Sequence, residues 1–113
     1  MMESQKDVLL LVREYKKLFP NLPTRWEFSY NGGGDDGDWD DIPDFDDIEA
    51  LEKMQEALFE MVSDIQGDWY NNDGGGGSIT IVWATGEVEW SYYYNVMSTD
   101  DHSKYFGLEQ LEV

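Results

Sequence analysis

The carboxylates are where this sequence could do chemistry. Residues 31–47, NGGGDDGDWDDIPDFDD, hold eight aspartates and no base. Such a density suits a hard cation, a proton-sharing pair of acids, or a row of charge offered to a basic partner. It also suits a solvated loop. Asp36, Asp38 and Asp40 have the alternate spacing that opens an EF-hand loop. The match then fails. The sixth position lacks the glycine that turns the loop, the twelfth is Asp47 where a longer bidentate Glu is usual, and Pro43 interrupts. No metal or cofactor is therefore assigned, and a calcium-binding accessory domain stays as an alternative.

Other chemistries find less support. Gly74 to Gly77 form a glycine run, but a phosphate cradle needs a following helix N-terminus and usually a lysine. Here a strand is expected next, and no base is near. His102 is the one histidine, and Asp101 and Ser103 flank it in an expected loop. No nucleophile and base stand at recognisable spacing, and histidine pairs or cysteines for a transition metal are absent. The expectation is a protein that is not an enzyme, with a hydrolytic domain as a weaker alternative.

The acids have a second pattern. Glu49, Glu52, Glu56, Glu60 and Asp64 recur every three or four residues, so a helix would carry them as one stripe. Like charges at that spacing cost about 0.2–0.5 kcal/mol per pair. A helix shaped for stability alone would mix in lysines, yet Lys53 is its only base. Acids on such a stripe rise about 6 Å apart, sparser than the roughly 3.4 Å between phosphates on one DNA strand. Residues 35–49 add nine acids in fifteen positions beside it. Loop and helix together are expected to present two anionic rows. The residues singled out for partner binding are Asp35, Asp36, Asp38, Asp40, Asp41 and Asp44 of the loop, Glu49, Glu52, Glu56 and Glu60 of the helix, and Trp39. Trp39 has no periodic apolar neighbour. It either anchors an interface or folds back over the sheet.

Positioning these groups needs a scaffold. Residues 4–19 read as a helix, with Val8, Leu11, Val12, Tyr15, Leu18 and Phe19 on one face and Ser4 and Asp7 as a capping pair. Pro20 and Pro23 end it. In residues 24–31 Trp26, Phe28 and Tyr30 alternate with polar residues, the mark of a half-buried strand. Residues 47–65 read as a second helix burying Ile48, Leu51, Met54, Leu58, Met61, Val62 and Ile65. Asp46 or Asp47 caps its start and Gly67 its end. After a glycine-rich connection over 67–78, residues 78–95 read as a hairpin. Ile79, Ile81 and Trp83 face Val88, Trp90, Tyr92 and Tyr94, and Gly86 takes positive φ in the turn. Tyr93 should face outward. The tail around Tyr105, Phe106, Leu108 and Leu111 fits a short helix or a last strand. The fold expected over residues 1–113 is one α+β domain of order α-β-α-β-β. A small antiparallel sheet of three to four strands packs against two helices.

Charge and composition bound the partners. The chain of 113 residues is 41% apolar and 15% aromatic, enough for a packed core. Its formal net charge is −18. Residues 1–25 carry five bases and three acids, whereas the rest carry two bases and 22 acids, a net of −20. Direct binding of nucleic acid is excluded by repulsion, while a basic protein would be steered in. A solubility coat on an accessory domain is the plainer alternative. No apolar run spans a membrane, the N-terminus lacks the basic start of a signal peptide, and cysteine is absent. These point to a cytoplasmic home. An open hairpin edge favours pairing between copies and the charge opposes it, so the expected state is a monomer or weak homodimer.

From Trp26 onward, a W-x-F strand, a Gly/Asp loop and an amphipathic helix lead into WYNNDGGGGSITI. This resembles a family of small bacterial proteins with a G-x-W-E-N-N-D-G-x-x-G-x-F-T-F core. Gly67, Trp69, Asn71, Asn72, Asp73, Gly74, Gly77 and Thr80 match that core, while Tyr70, Ile79 and Ile81 depart from it. The resemblance supports an α+β fold and brings no activity with it. In character, the small, acidic, cysteine-free chain resembles phage inhibitors of host defence of the anti-CRISPR or anti-restriction type. The function this implies is occupation of the basic groove of a nucleic-acid-binding protein, by DNA mimicry. An immunity or antitoxin protein that neutralises a basic toxin is the alternative.

Overall fold

The structure, a computed structural model, describes residues 3–33, 36–66, 75–94, 100–108 and 110. The elements run α1 (Glu3–Leu18), β1 (Arg25–Gly33), β2 (Asp36–Asp41), α2 (Ile48–Gln66), β3 (Gly75–Val82), β4 (Glu87–Tyr94) and β5 (Asp100–Gly107). One sheet has the order β2-β1-β3-β4-β5, and every neighbouring pair is antiparallel. The α+β class holds, but the sheet has five strands where three to four were expected. Both additions come from segments with weak strand signals. The acidic stretch read as a loop folds back on β1, with Gly32 opposite Gly37 and Tyr30 opposite Trp39. Aspartate and glycine disfavour strands in isolation, but pairing with β1 and burial of one tryptophan override that preference. The tail resolves as strand β5, whose Phe106 is buried opposite Val88.

The period-two alternation of β1 sorts the sheet into two faces. Trp26, Phe28 and Tyr30 lie on the covered face, in register with Ile81, Ile79 and Gly77 of β3. Val88, Trp90 and Tyr92 continue that face on β4. Against it, α1 buries Val8, Leu9, Val12 and Tyr15, and α2 buries Leu51, Met54, Leu58, Met61 and Val62, all in one core. The helix faces differ from expectation at their ends. Leu18 and Ile48 are 58% and 64% exposed, because each sits at a helix terminus beyond the sheet contact, whereas Leu9 is fully buried. Ser4 does not cap α1. It lies inside the helix, and its buried Oγ has no partner among the described residues. Asp47 does cap α2. The Ala50 N–H donates to its Oδ1 at 3.1 Å and the Leu51 N–H to its carbonyl oxygen at 3.1 Å.

Buried hydrogen bonds tie the helices to each other and α2 to the sheet. The Tyr15 hydroxyl donates to the Ala50 carbonyl at 2.7 Å, joining α1 to α2. Burial, with Glu14 and Asp47 nearby, pushes that phenol up to about 12 from an ordinary 10.0. At the far end of α2, Gln66 is buried. Its Oε1 accepts from the Tyr30 hydroxyl at 2.6 Å, and its Nε2 donates to the Tyr93 carbonyl at 2.9 Å and the Gly76 carbonyl at 3.3 Å. The Trp90 indole donates to the same Tyr30 hydroxyl at 2.9 Å.

The glycines read as a connection begin strand β3 instead, at Gly75. A Cβ at Gly77 would stand 2.5 Å from the Ser91 carbonyl oxygen and 2.6 Å from the Tyr30 hydroxyl. Glycine at this position lets three strands and the polar contact below them close up. Gly86 has φ +76 in the β3–β4 turn, as its place in the sequence predicts. Trp83 lies one residue past β3, in that turn, yet stays buried; its N–H donates to the Thr24 carbonyl at 3.0 Å.

The opposite face of the sheet has no covering element among the described residues. The register lines up Ser29, Ser78, Ser91 and Ser103 in one row, with Asp41 at its β2 end. Beside it run Glu27, Thr80, Glu89 and Tyr105, and Tyr105 is 71% exposed. Tyr93 is exposed as expected.

Candidate partner-binding groove

The acidic stretch is a strand, and that changes what it can present. Tyr30 pairs with Trp39 and Ser29 with Asp41, so Asp40 is the extra residue of a β-bulge. A strand sends successive residues to opposite faces. Trp39 shares the ladder position of Tyr30, on the helix-covered face. Asp38 pairs with Asn31, and Asp41 stands opposite Ser29, at a position belonging to the uncovered face. Asp41 therefore stands on the face of the sheet away from the helix stripe. Asp40, Asp41 and Asp44 are exposed. Asp35 lies outside the described residues, and Asp36 and Asp38 are described by backbone position alone. The EF-hand-like spacing falls in an extended ladder, which cannot wind round a cation as that loop does. Among the described residues no three acidic or histidine side chains converge on a metal position.

Trp39 folds back. It is half-buried, with ring centroids 5.5 Å from Phe28, 6.0 Å from Tyr30 and 6.4 Å from Phe59 of α2. Between β2 and α2 this leaves an open groove of about 510 Å³, lined by Trp39, Phe59, Gln55, Glu52, Glu56 and Glu60. Four of the residues singled out in the sequence thus meet in one place. Glu49 is exposed on the same helix, but neither it nor Asp40, Asp41 and Asp44 line the groove.

The electrostatics follow from the helix. Glu49, Glu52, Glu56 and Glu60 are exposed, and none has a cation within 4.0 Å among the described residues. The ion pair seen there is Arg25–Glu27 at 3.9 Å, on the uncovered face and well exposed. A second trough of about 340 Å³ lies on the other side of Glu56 and Glu60, between α1 and α2, with Leu10, Leu11, Ala57 and Lys53 in its lining. The glutamates crown a ridge between two partly apolar depressions.

Gln55 and Phe59 were missed in the sequence. Phe59 follows Glu52 by seven and Glu56 by three, so it lies on the flank of α2 between the stripe and the core, against which it packs. A large apolar residue beside an acidic stripe was the available signal. His102 is exposed and stacks on Tyr92 at 4.9 Å and 13°. No helix among the described residues is long and apolar enough to cross a membrane.

No protein-family model matches this chain, and no curated protein or solved structure matches it either. Of the motif behind the family resemblance, Gly77 and Thr80 lie on β3, while Gly67, Trp69, Asn71, Asn72, Asp73 and Gly74 fall outside the described residues.

Proposed function

We propose that this protein is a non-enzymatic acidic inhibitor that docks on the basic surface of a nucleic-acid-binding defence protein and keeps nucleic acid out. One observation carries the reading. Three exposed glutamates, Glu52, Glu56 and Glu60, run along one helix beside a half-buried tryptophan, and among the described residues none has a cation within 4.0 Å. Uncompensated like charge on a helix lowers stability, so an arrangement of this kind makes physical sense when a partner supplies the missing cations. The net −20 after residue 25 adds long-range steering toward a basic surface.

The test is release of labelled duplex DNA from purified CRISPR effector complexes and restriction enzymes as the protein is titrated in. Release from at least one is expected, with apparent affinity falling about tenfold or more between about 50 and 200 mM salt. Unchanged DNA binding by all of them, or affinity flat with salt, contradicts the reading.

A further inference from the structure

We infer that the Trp39–Phe59 groove receives an arginine side chain projected by the basic partner. The inference rests on the proposed function and reverses the role expected for Trp39. That ring is a wall of a receiving site and not an anchor that inserts elsewhere.

Two independent features select the occupant. The first is shape and surface. Two half-buried aromatic rings, packed edge to face at 6.4 Å and 68°, line one side of an open volume of about 510 Å³. Aromatic faces attract cations, and a planar, weakly hydrated guanidinium stacks on them more readily than a compact, strongly hydrated ammonium. The second is the rim. Glu52, Glu56 and Glu60 follow one another along the ridge of α2, and the Gln55 amide lies among them. A guanidinium has five donors in a fixed fork, and carboxylates accept them in pairs. A cation stacked on the rings thus finds acceptors at its edge. An anionic or nucleobase-bearing ligand would meet three uncompensated carboxylates at the mouth. A neutral apolar side chain would leave them without partners. The second trough suits this occupant less, because Lys53 stands in its lining.

The test uses the full chain and two labelled short Gly/Ser peptides, alike except that one carries arginines and the other lysines at the same positions. Fluorescence anisotropy gives their affinities at low salt. The arginine peptide is expected to bind at least about fivefold more tightly. Trp39→Leu and the double variant Glu52→Gln/Glu56→Gln should each abolish that preference. The pair Glu87→Gln/Glu89→Gln removes equal charge from exposed positions of β4 and should preserve it. If Trp39→Leu does not fold, the glutamate pair, at exposed helix positions, carries the test. Equal binding of both peptides, still salt-sensitive and unaffected by the groove variants, overturns the inference and leaves the acidic-coat reading in place. Binding of neither peptide also overturns it. The DNA-release experiment then decides separately on the proposed function.

Discussion

The groove between β2 and α2 and the uncovered face of the sheet carry the same sign of charge in different relief. On the uncovered face, Glu27 and Glu89 stand in one cross-strand row beside a row of serines, and Glu27 lies near Arg25. That row of small residues offers hydroxyls, and Ser78, Ser91 and Ser103 line a shallow depression with Tyr93 that holds no acidic side chain among its described lining. On the other side, a helix lies beside an edge strand, and two rings from different elements converge below three glutamates. Negative charge is common to both regions. Both also expose aromatic surface, Tyr93 and Tyr105 on the sheet, but the groove is the larger depression and sets two rings beside three glutamates, the combination on which the proposed site rests. In a chain of net −18, acidity alone identifies no interface, and the proposed one rests on acidity around an aromatic groove.

The comparison can be broken most violently from beneath. Gly77 sits where β1, β3 and β4 meet, below Tyr30, which in turn abuts Trp39. Gly77→Ala drives a methyl toward the Ser91 carbonyl and the Tyr30 hydroxyl. It should cost about 3 kcal/mol or more and degrade both regions together. Urea denaturation checks this, and a loss below about 1 kcal/mol would mean the strands can spread to make room.

An intermediate effect comes from Tyr15, remote from both regions. Folding holds its phenol neutral, with a value near 12 against 10.0 for the ordinary group. Its contribution is therefore complete below pH 10 and is lost as pH rises through about 12, a loss of about 2 kcal/mol. Tyr15→Phe gives up the hydrogen bond to Ala50, worth about 1 kcal/mol at neutral pH, and should remove this part of the alkaline loss. Denaturation at pH 9 and pH 11.5 compares the two proteins. Equal losses would show that the phenol is not held neutral by the fold.

The smallest effect sharpens the comparison directly. Glu52→Gln/Glu56→Gln/Glu60→Gln relieves repulsion along α2 and should stabilise the protein by about 1 kcal/mol. Glu27→Gln/Glu87→Gln/Glu89→Gln, on the sheet, should leave stability within about 0.5 kcal/mol. Thermal melts at low salt distinguish them. A destabilised α2 variant would mean that these glutamates have structural partners.

Much of this architecture was legible beforehand, for a definite reason. The helices and the β3–β4 hairpin carry strong periodic apolar patterns, and Trp26, Phe28 and Tyr30 mark their strand without ambiguity. The positive φ of Gly86 and the cap at Asp47 follow from local chemistry alone. β2 was not legible, because its sequence has one apolar residue and its strand character comes from pairing with β1. The same pairing makes the site. Trp39 drew notice as an isolated aromatic, but its neighbour Phe59 is distant in sequence and meets it only through the β1–β2 hairpin. The glutamate stripe was visible as a period. The place of Asp41 on the far face of the sheet was not, since it depends on which way a bulged strand turns its residues.

The account stands on the claim that the acids around the groove, and not total charge, engage the partner. The direct measurement is DNA release from a susceptible defence enzyme by the two triple amide variants, which carry the same net charge. The α2 variant should lose at least about tenfold in potency while the sheet variant stays within about threefold of the parent. Equal potency of the two variants would contradict the claim.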